Sequence, residues 1–145
     1  EGKKHVLIDY KTGEANPSEW VKERILSPQL PLYATLISPT AVYFAQTKKG
    51  GMGLKGIKES FKNVGTPSIQ FVGFNKPVHF SELLEGPTWN NLLDFWKRQI
   101  NGLASEFLEG RISIDPAQKQ NTCRNCDLNP VCRIWERDDG IGELD

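Results

Sequence analysis

The segment TWNNLLDFWKRQINGLASEFLEG, residues 88–110, places Trp89, Leu92, Leu93, Trp96, Ile100, Leu103 and Phe107 at three- and four-residue steps. That spacing draws one apolar stripe along a helix. A helix of this kind owes most of its stability to packing of its apolar face, so the rest of the chain must supply a surface for it. Thr88 is suited to cap the helix and Gly110 to stop it. Gly102 costs something inside it without outweighing the pattern. Three β-rich runs offer the partner surface: HVLIDYKTGE (5–14), stopped by Gly13, then TAVYFAQTK (40–48) and SIQFVGF (68–74). Two shorter helices are expected between the first two. In NPSEWVKERI, Ser18 is the N-cap and Glu19 sits in the first turn of a helix reaching about Leu26. In SPQLPLYATLI, Ser27 caps, Pro28 takes the first helical position, and the helix runs to about Ile37, before Pro39. The expected fold is α/β, a mixed sheet flanked by helices.

The chain has 145 residues, enough for one domain with a real core. Its 18 basic and 18 acidic residues balance, so no global field draws it to nucleic acid or membrane. No apolar run has the length of a membrane span. The opening EGKKHVLIDY reads as the turn and second strand of a hairpin, so the chain is expected to be a fragment lacking an N-terminal part. All three cysteines fall within residues 123–132, a poor disulfide framework that suits a reducing, cytoplasmic compartment and a metal or cluster ligand set.

Alternate strand residues share a face, so Leu7, Asp9 and Lys11 point one way and Val6, Ile8 and Tyr10 the other. An acid and a lysine are thereby held side by side on a rigid element. The bland alternative is a surface ion pair at a strand end, which is common and worth little. Gln29 and Tyr33 are four apart on the second short helix and share a face as well. The bland alternative there is a half-buried tyrosine and a solvated glutamine.

Strand–Asp-x-Lys–Gly, then a helix bearing Gln-x-x-x-Tyr, resembles the RecB/AddB-type exonuclease domains of the PD-(D/E)xK nuclease superfamily, through IDYKTG and QLPLYA. The resemblance implies a restriction-endonuclease-like core, residues 1–115, followed by a cysteine-bearing tail, residues 116–145. It implies that Asp9 is a ligand of Mg²⁺ or Mn²⁺, joined by the main-chain carbonyl of Tyr10, and that Lys11 positions water and stabilises charge. Gln29 and Tyr33 would bind DNA at the active site. The implied activity is metal-dependent DNA exonuclease cleavage in a recombination or repair helicase–nuclease, with a helicase domain or subunit as partner. Phosphodiester hydrolysis supports the pairing on chemical grounds, since it needs a cation on the developing oxyanion and an activated water.

Cys123, Cys126 and Cys132 form C-x2-C-x5-C. Zinc would want a fourth ligand, and neither His5 nor His79 lies in the tail. AddB-type nucleases are similar here: three such cysteines and an upstream fourth hold a [4Fe–4S] cluster. The fourth cysteine and the family's upstream acid and histidine have no counterparts in this sequence. The isolated chain is therefore expected to be inactive and to hold no intact cluster. A DNA-binding scaffold with a decayed site and a structural cluster is the alternative, and a small iron–sulfur or zinc protein a third reading. GMGLKG, residues 51–56, matches G-x-G-x-x-G but lacks the strand–turn–helix context and the acid that the dinucleotide fingerprint requires. Lys48, Lys49, Lys55 and Lys58 around it read as a mobile basic loop.

Overall fold

The run VLIDYK forms β1, Val6–Lys11, and its residues alternate between exposed and half-buried as a strand with one covered face requires. The computed structural model describes residues 4–61, 67–73, 84, 86–111 and 113–135. β1 pairs in parallel with β2, Ala41–Gln46, so that Asp9 stands opposite Phe44 and Lys11 opposite Gln46. A parallel pair needs a crossover. Here it consists of a 3₁₀ turn, Pro17–Val21, and helix α1, Gln29–Ile37. β3, Gly53–Phe61, and β4, Pro67–Val72, follow by antiparallel pairing, giving the order β1-β2-β3-β4. The architecture is the expected one, a mixed sheet with flanking helices in an α/β fold consistent with the restriction-endonuclease-like type.

One face of the sheet makes the core. Val42, Phe44, Ile57 and Ile69 are buried with Trp20 and Val21 of the 3₁₀ turn, Leu30 and Ala34 of α1, and Trp89, Leu92, Phe95 and Trp96 of α2, Trp89–Leu108. Three tryptophans knit these elements. The Trp20 ring lies 4.6 Å from Phe44 and 6.3 Å from Trp96, and Trp89 lies 6.2 Å from Trp96. The Trp96 indole N–H donates to Trp20 O at 2.8 Å, and that of Trp89 to Pro39 O at 2.7 Å. A buried indole that finds an acceptor adds direction to a large apolar contact.

Several expectations are corrected. The helix expected from Ser18 to Leu26 is only the 3₁₀ turn Pro17–Val21, because Trp20 and Val21 are drawn into the core there. Ser27 does not cap α1: it adopts a left-handed backbone at φ 57°, and Pro28 takes the cap position without a side-chain hydrogen bond. The apolar stripe of α2 is buried only over its first half, and Leu103 and Phe107 are exposed. Thr88 does cap that helix, its Oγ1 accepting from Asn91 N–H at 3.2 Å. Gly110, at φ 71°, ends it. Phe74, at the end of the expected third strand, and His79 lie outside the described residues.

The largest correction is β3. The stretch expected to be a loop around GMGLKG is a nine-residue strand. GLKGIKESF lacks apolar alternation, with Lys55, Ile57 and Glu59 on one face and Leu54, Gly56 and Lys58 on the other. Pairing along both edges, to β2 and β4, imposes the strand where local pattern does not. Lys55 and Lys58 therefore project from opposite faces, and only Lys48 and Lys49 belong to the exposed β2–β3 connection. Gly56 shows how tight the pairing is: a Cβ there would run into the Val42 carbonyl oxygen and would stand 2.6 Å from the Tyr43 ring. Burial pushes the Tyr43 phenol up from its usual 10.0.

Residues 1–105 form one compact unit and 106–145 another. The second contains the end of α2, then α3, Lys119–Cys123, and α4, Asn129–Cys132, with Cys123 and Ile134 buried. Among the described residues no helix is long and apolar enough to cross a membrane.

Because the colliding partner of a residue-56 side chain is backbone, Gly56→Ala should destabilise the chain by about 2 kcal/mol or more. Urea denaturation would measure it, and a loss below about 0.5 kcal/mol would mean that β3 can move away from β2.

Candidate active site

Asp9 and Lys11 emerge from β1 on the core side of the sheet, one residue apart, at the end of the strand where the apolar core gives way to solvent. Hydrogen bonds from β2 and the residue after it hold that end. Thr47 N–H donates to Lys11 O at 2.9 Å, and the buried Gln46 donates from Nε2 to Gly13 O at 3.0 Å. The Lys11 ammonium stands 2.8 Å from Asp9 Oδ2 and 5.5 Å from the centre of the Phe44 ring. Asp9 is 23% and Lys11 41% exposed, so the pair is partly in water. The oxygen nearer the lysine is out of solvent contact and accepts no hydrogen bond of good geometry, leaving the ammonium as its ionic partner.

α1 faces this pair. A cavity of about 440 Å³ is bounded by Asp9, Lys11 and Phe44 from the sheet and by Ser27, Gln29, Leu32 and Tyr33 from α1 and its approach. All four side chains singled out in IDYKTG and QLPLYA thus line one space. Tyr33 lines the cavity and is 45% exposed. Tyr10 sends its side chain to the opposite, exposed face, and only its main chain lies between Asp9 and Lys11. Phe44, Ser27 and Leu32 are not marked as site residues by the sequence. Phe44 reaches the site through the β1–β2 register, which no local pattern specifies, and Ser27 through a turn that local preference does not favour.

The arrangement puts a carboxylate, an ammonium and an apolar floor at the base of a cleft open to solvent. Mg²⁺ is commonly held by one or two carboxylates with waters and substrate phosphates completing its shell. Asp9, with a solvent-shielded oxygen free of hydrogen bonds, fits one such ligand position. The cysteines fit their expected group less well. Cys123 is buried and Cys126 and Cys132 half-buried, and none of the three is in a disulfide. Among the described residues no three His, Cys, Asp or Glu side chains are arranged to hold a metal ion. A [4Fe–4S] cluster is usually held by four thiolates, and the sequence has three cysteines.

A family model described as the PD-(D/E)XK nuclease superfamily matches residues 1–133. The chain belongs to that superfamily. No curated protein and no solved structure matches it. Membership of a nuclease superfamily agrees with a metal-dependent hydrolase acting on DNA, and with the acid–lysine pair at the base of the cleft.

The ion pair and its aromatic floor should differ in what they do for stability. Phe44→Ala removes a buried ring from the Trp20 contact and should cost about 3–4 kcal/mol. Lys11→Ala breaks a partly solvated pair and should cost less than about 1 kcal/mol. Equal losses in urea titrations would make the lysine a fold determinant instead of a site residue.

Proposed function

We propose that the chain is the nuclease portion of a RecB/AddB-type enzyme, a metal-dependent DNA exonuclease that works with a helicase domain or subunit in recombination or repair. The observation that carries this reading is the Asp9–Lys11 pair facing Gln29 and Tyr33 across one cavity, in a chain of nuclease ancestry. In it, Asp9 would hold one divalent cation, Mg²⁺ or Mn²⁺, and the main-chain carbonyl of Tyr10 would be a further oxygen donor. When bound, such an ion polarises the phosphoryl oxygen and makes coordinated water more acidic. Lys11 orients the attacking water and offsets charge building on the phosphate. Gln29 hydrogen-bonds the strand, and the exposed ring of Tyr33 stacks on it, a contact open to any base. The Phe44 ring lies under the Lys11 ammonium, 5.5 Å from its centre, and attracts the cation to that position.

Lone carboxylates bind Mg²⁺ weakly, because the ion gives up its waters only to charge and good geometry. Full activity therefore calls for a second acid beside Asp9, which the family resemblance assigns to a preceding strand. In the parent enzyme, Cys123, Cys126 and Cys132 supply three thiolates of a [4Fe–4S] cluster, and a ligand from outside this sequence supplies the fourth.

In the parent enzyme, Asp9→Ala and Lys11→Ala should each lower metal-dependent cleavage of a labelled DNA strand by about 100-fold or more. DNA binding should stay within a few-fold, since contacts to the backbone remain. Near-normal cleavage by either variant sinks the assignment. A wild-type parent that binds DNA without cutting it identifies the alternative, a DNA-binding scaffold with a decayed site.

Anaerobic reconstitution of residues 1–145 with iron and sulfide should leave well under four irons per chain after desalting. Stoichiometric iron with a persistent brown absorbance would show that the fourth ligand is dispensable.

A further inference from the structure

The wall of the cavity contains a residue whose backbone is unexpected. Ser27 sits at φ 57°, in the left-handed region that disfavours residues with a Cβ, immediately before Pro28 and the first turn of α1. Glycine would adopt that conformation at no steric cost. Serine brings a hydroxyl instead, and its Oγ donates to Glu19 Oε2 at 3.1 Å. The same glutamate receives a second contact through its main chain, Leu26 N–H donating to Glu19 O at 3.2 Å. Glu19 itself is seated in the 3₁₀ turn whose next residue, Trp20, is fully buried. A strained backbone persists where surrounding contacts over-determine it, and these two hydrogen bonds meet that condition.

We infer that Glu19 and Ser27 form a clasp that positions the first turn of α1, and with it Gln29 and Tyr33, across the cavity from Asp9 and Lys11. α1 has no side-chain cap of its own at that end. Its first turn is closed by Leu32 N–H donating to Pro28 O at 2.8 Å. The clasp transmits the rigidity of the buried Trp20 through Glu19 and Ser27 to Pro28. Both residues act through α1 as positioning residues. Glu19 works as a hydrogen-bond acceptor, so its charge is not required. The effect on catalysis rests on the nuclease reading above, whereas the effect on α1 does not.

The test compares Glu19→Ala and Ser27→Ala, which break the clasp, with Glu19→Gln, whose carboxamide oxygen still accepts from the serine. Hydrogen exchange of the Leu32 amide should quicken about tenfold in both alanine variants and stay near wild type in Glu19→Gln. In the parent enzyme, kcat should fall about tenfold for the two alanine variants with KM changed less, while Glu19→Gln retains nearly full kcat. Unchanged Leu32 exchange in the alanine variants overturns the clasp. A Glu19→Gln enzyme as inactive as Asp9→Ala, with wild-type exchange, also overturns it, because Glu19 would then act through its charge. A parent that cleaves no DNA removes the nuclease reading alone, since the exchange rates decide the clasp without it.

Discussion

Trp20 is the wedge on which the arrangement depends. It sits in the crossover between two parallel strands, yet its ring packs on Phe44 of β2 and edge-on to Trp96 of α2, and its carbonyl accepts the Trp96 indole N–H. One residue thus ties the crossover, the sheet and the long helix together. Truncating a fully buried tryptophan costs about 3–5 kcal/mol, a large part of the stability of a domain this size. Its neighbour in sequence, Glu19, touches the cavity wall through Ser27. Its neighbour in space, Phe44, forms the cavity floor. The site is therefore mounted on the buried core of the sheet and its flanking elements.

The acid–lysine pair is a contrast to that core. At its partial exposure it contributes less than about 1 kcal/mol to stability. Holding a carboxylate oxygen out of solvent with an ammonium as its ionic partner is a poor way to stabilise a strand end. Under the proposed function it would keep a ligand oxygen and a cation ready beside a phosphate. A pair worth so little to the fold is compatible with the chemistry proposed for it, in a chain of a nuclease superfamily. The lysine is also confined, with its ammonium over the Phe44 ring and its main-chain carbonyl bonded to Thr47.

What local sequence could reveal depended on whether one element sufficed to reveal it. Asp9 and Lys11 share a face because a strand alternates, and Gln29 and Tyr33 because a helix repeats every 3.6 residues. Both pairings hold in the structure, and the two pairs line one cavity. The Thr88 cap and Gly110 stop of α2 were legible for the same reason. β3 was not, because Lys55 and Glu59 share a face with Ile57 and the strand exists through its neighbours. The C-x2-C-x5-C spacing was legible as a pattern, but spacing alone did not assemble a metal-holding group among the described residues.

The sequence by itself determined the α/β class, the faces of β1 and α1, and the order in which the acid, the lysine, the glutamine and the tyrosine appear. Tertiary structure alone decided the parallel register that sets Phe44 beside Asp9, the strand state of GLKGIKESF, and the left-handed turn at Ser27. The division follows from the range of the forces. Side-chain periodicity and capping act within a few residues and can be read along the chain. Register, strand pairing and a strained turn are fixed by contacts between segments far apart in sequence, whose strength depends on what else has already packed.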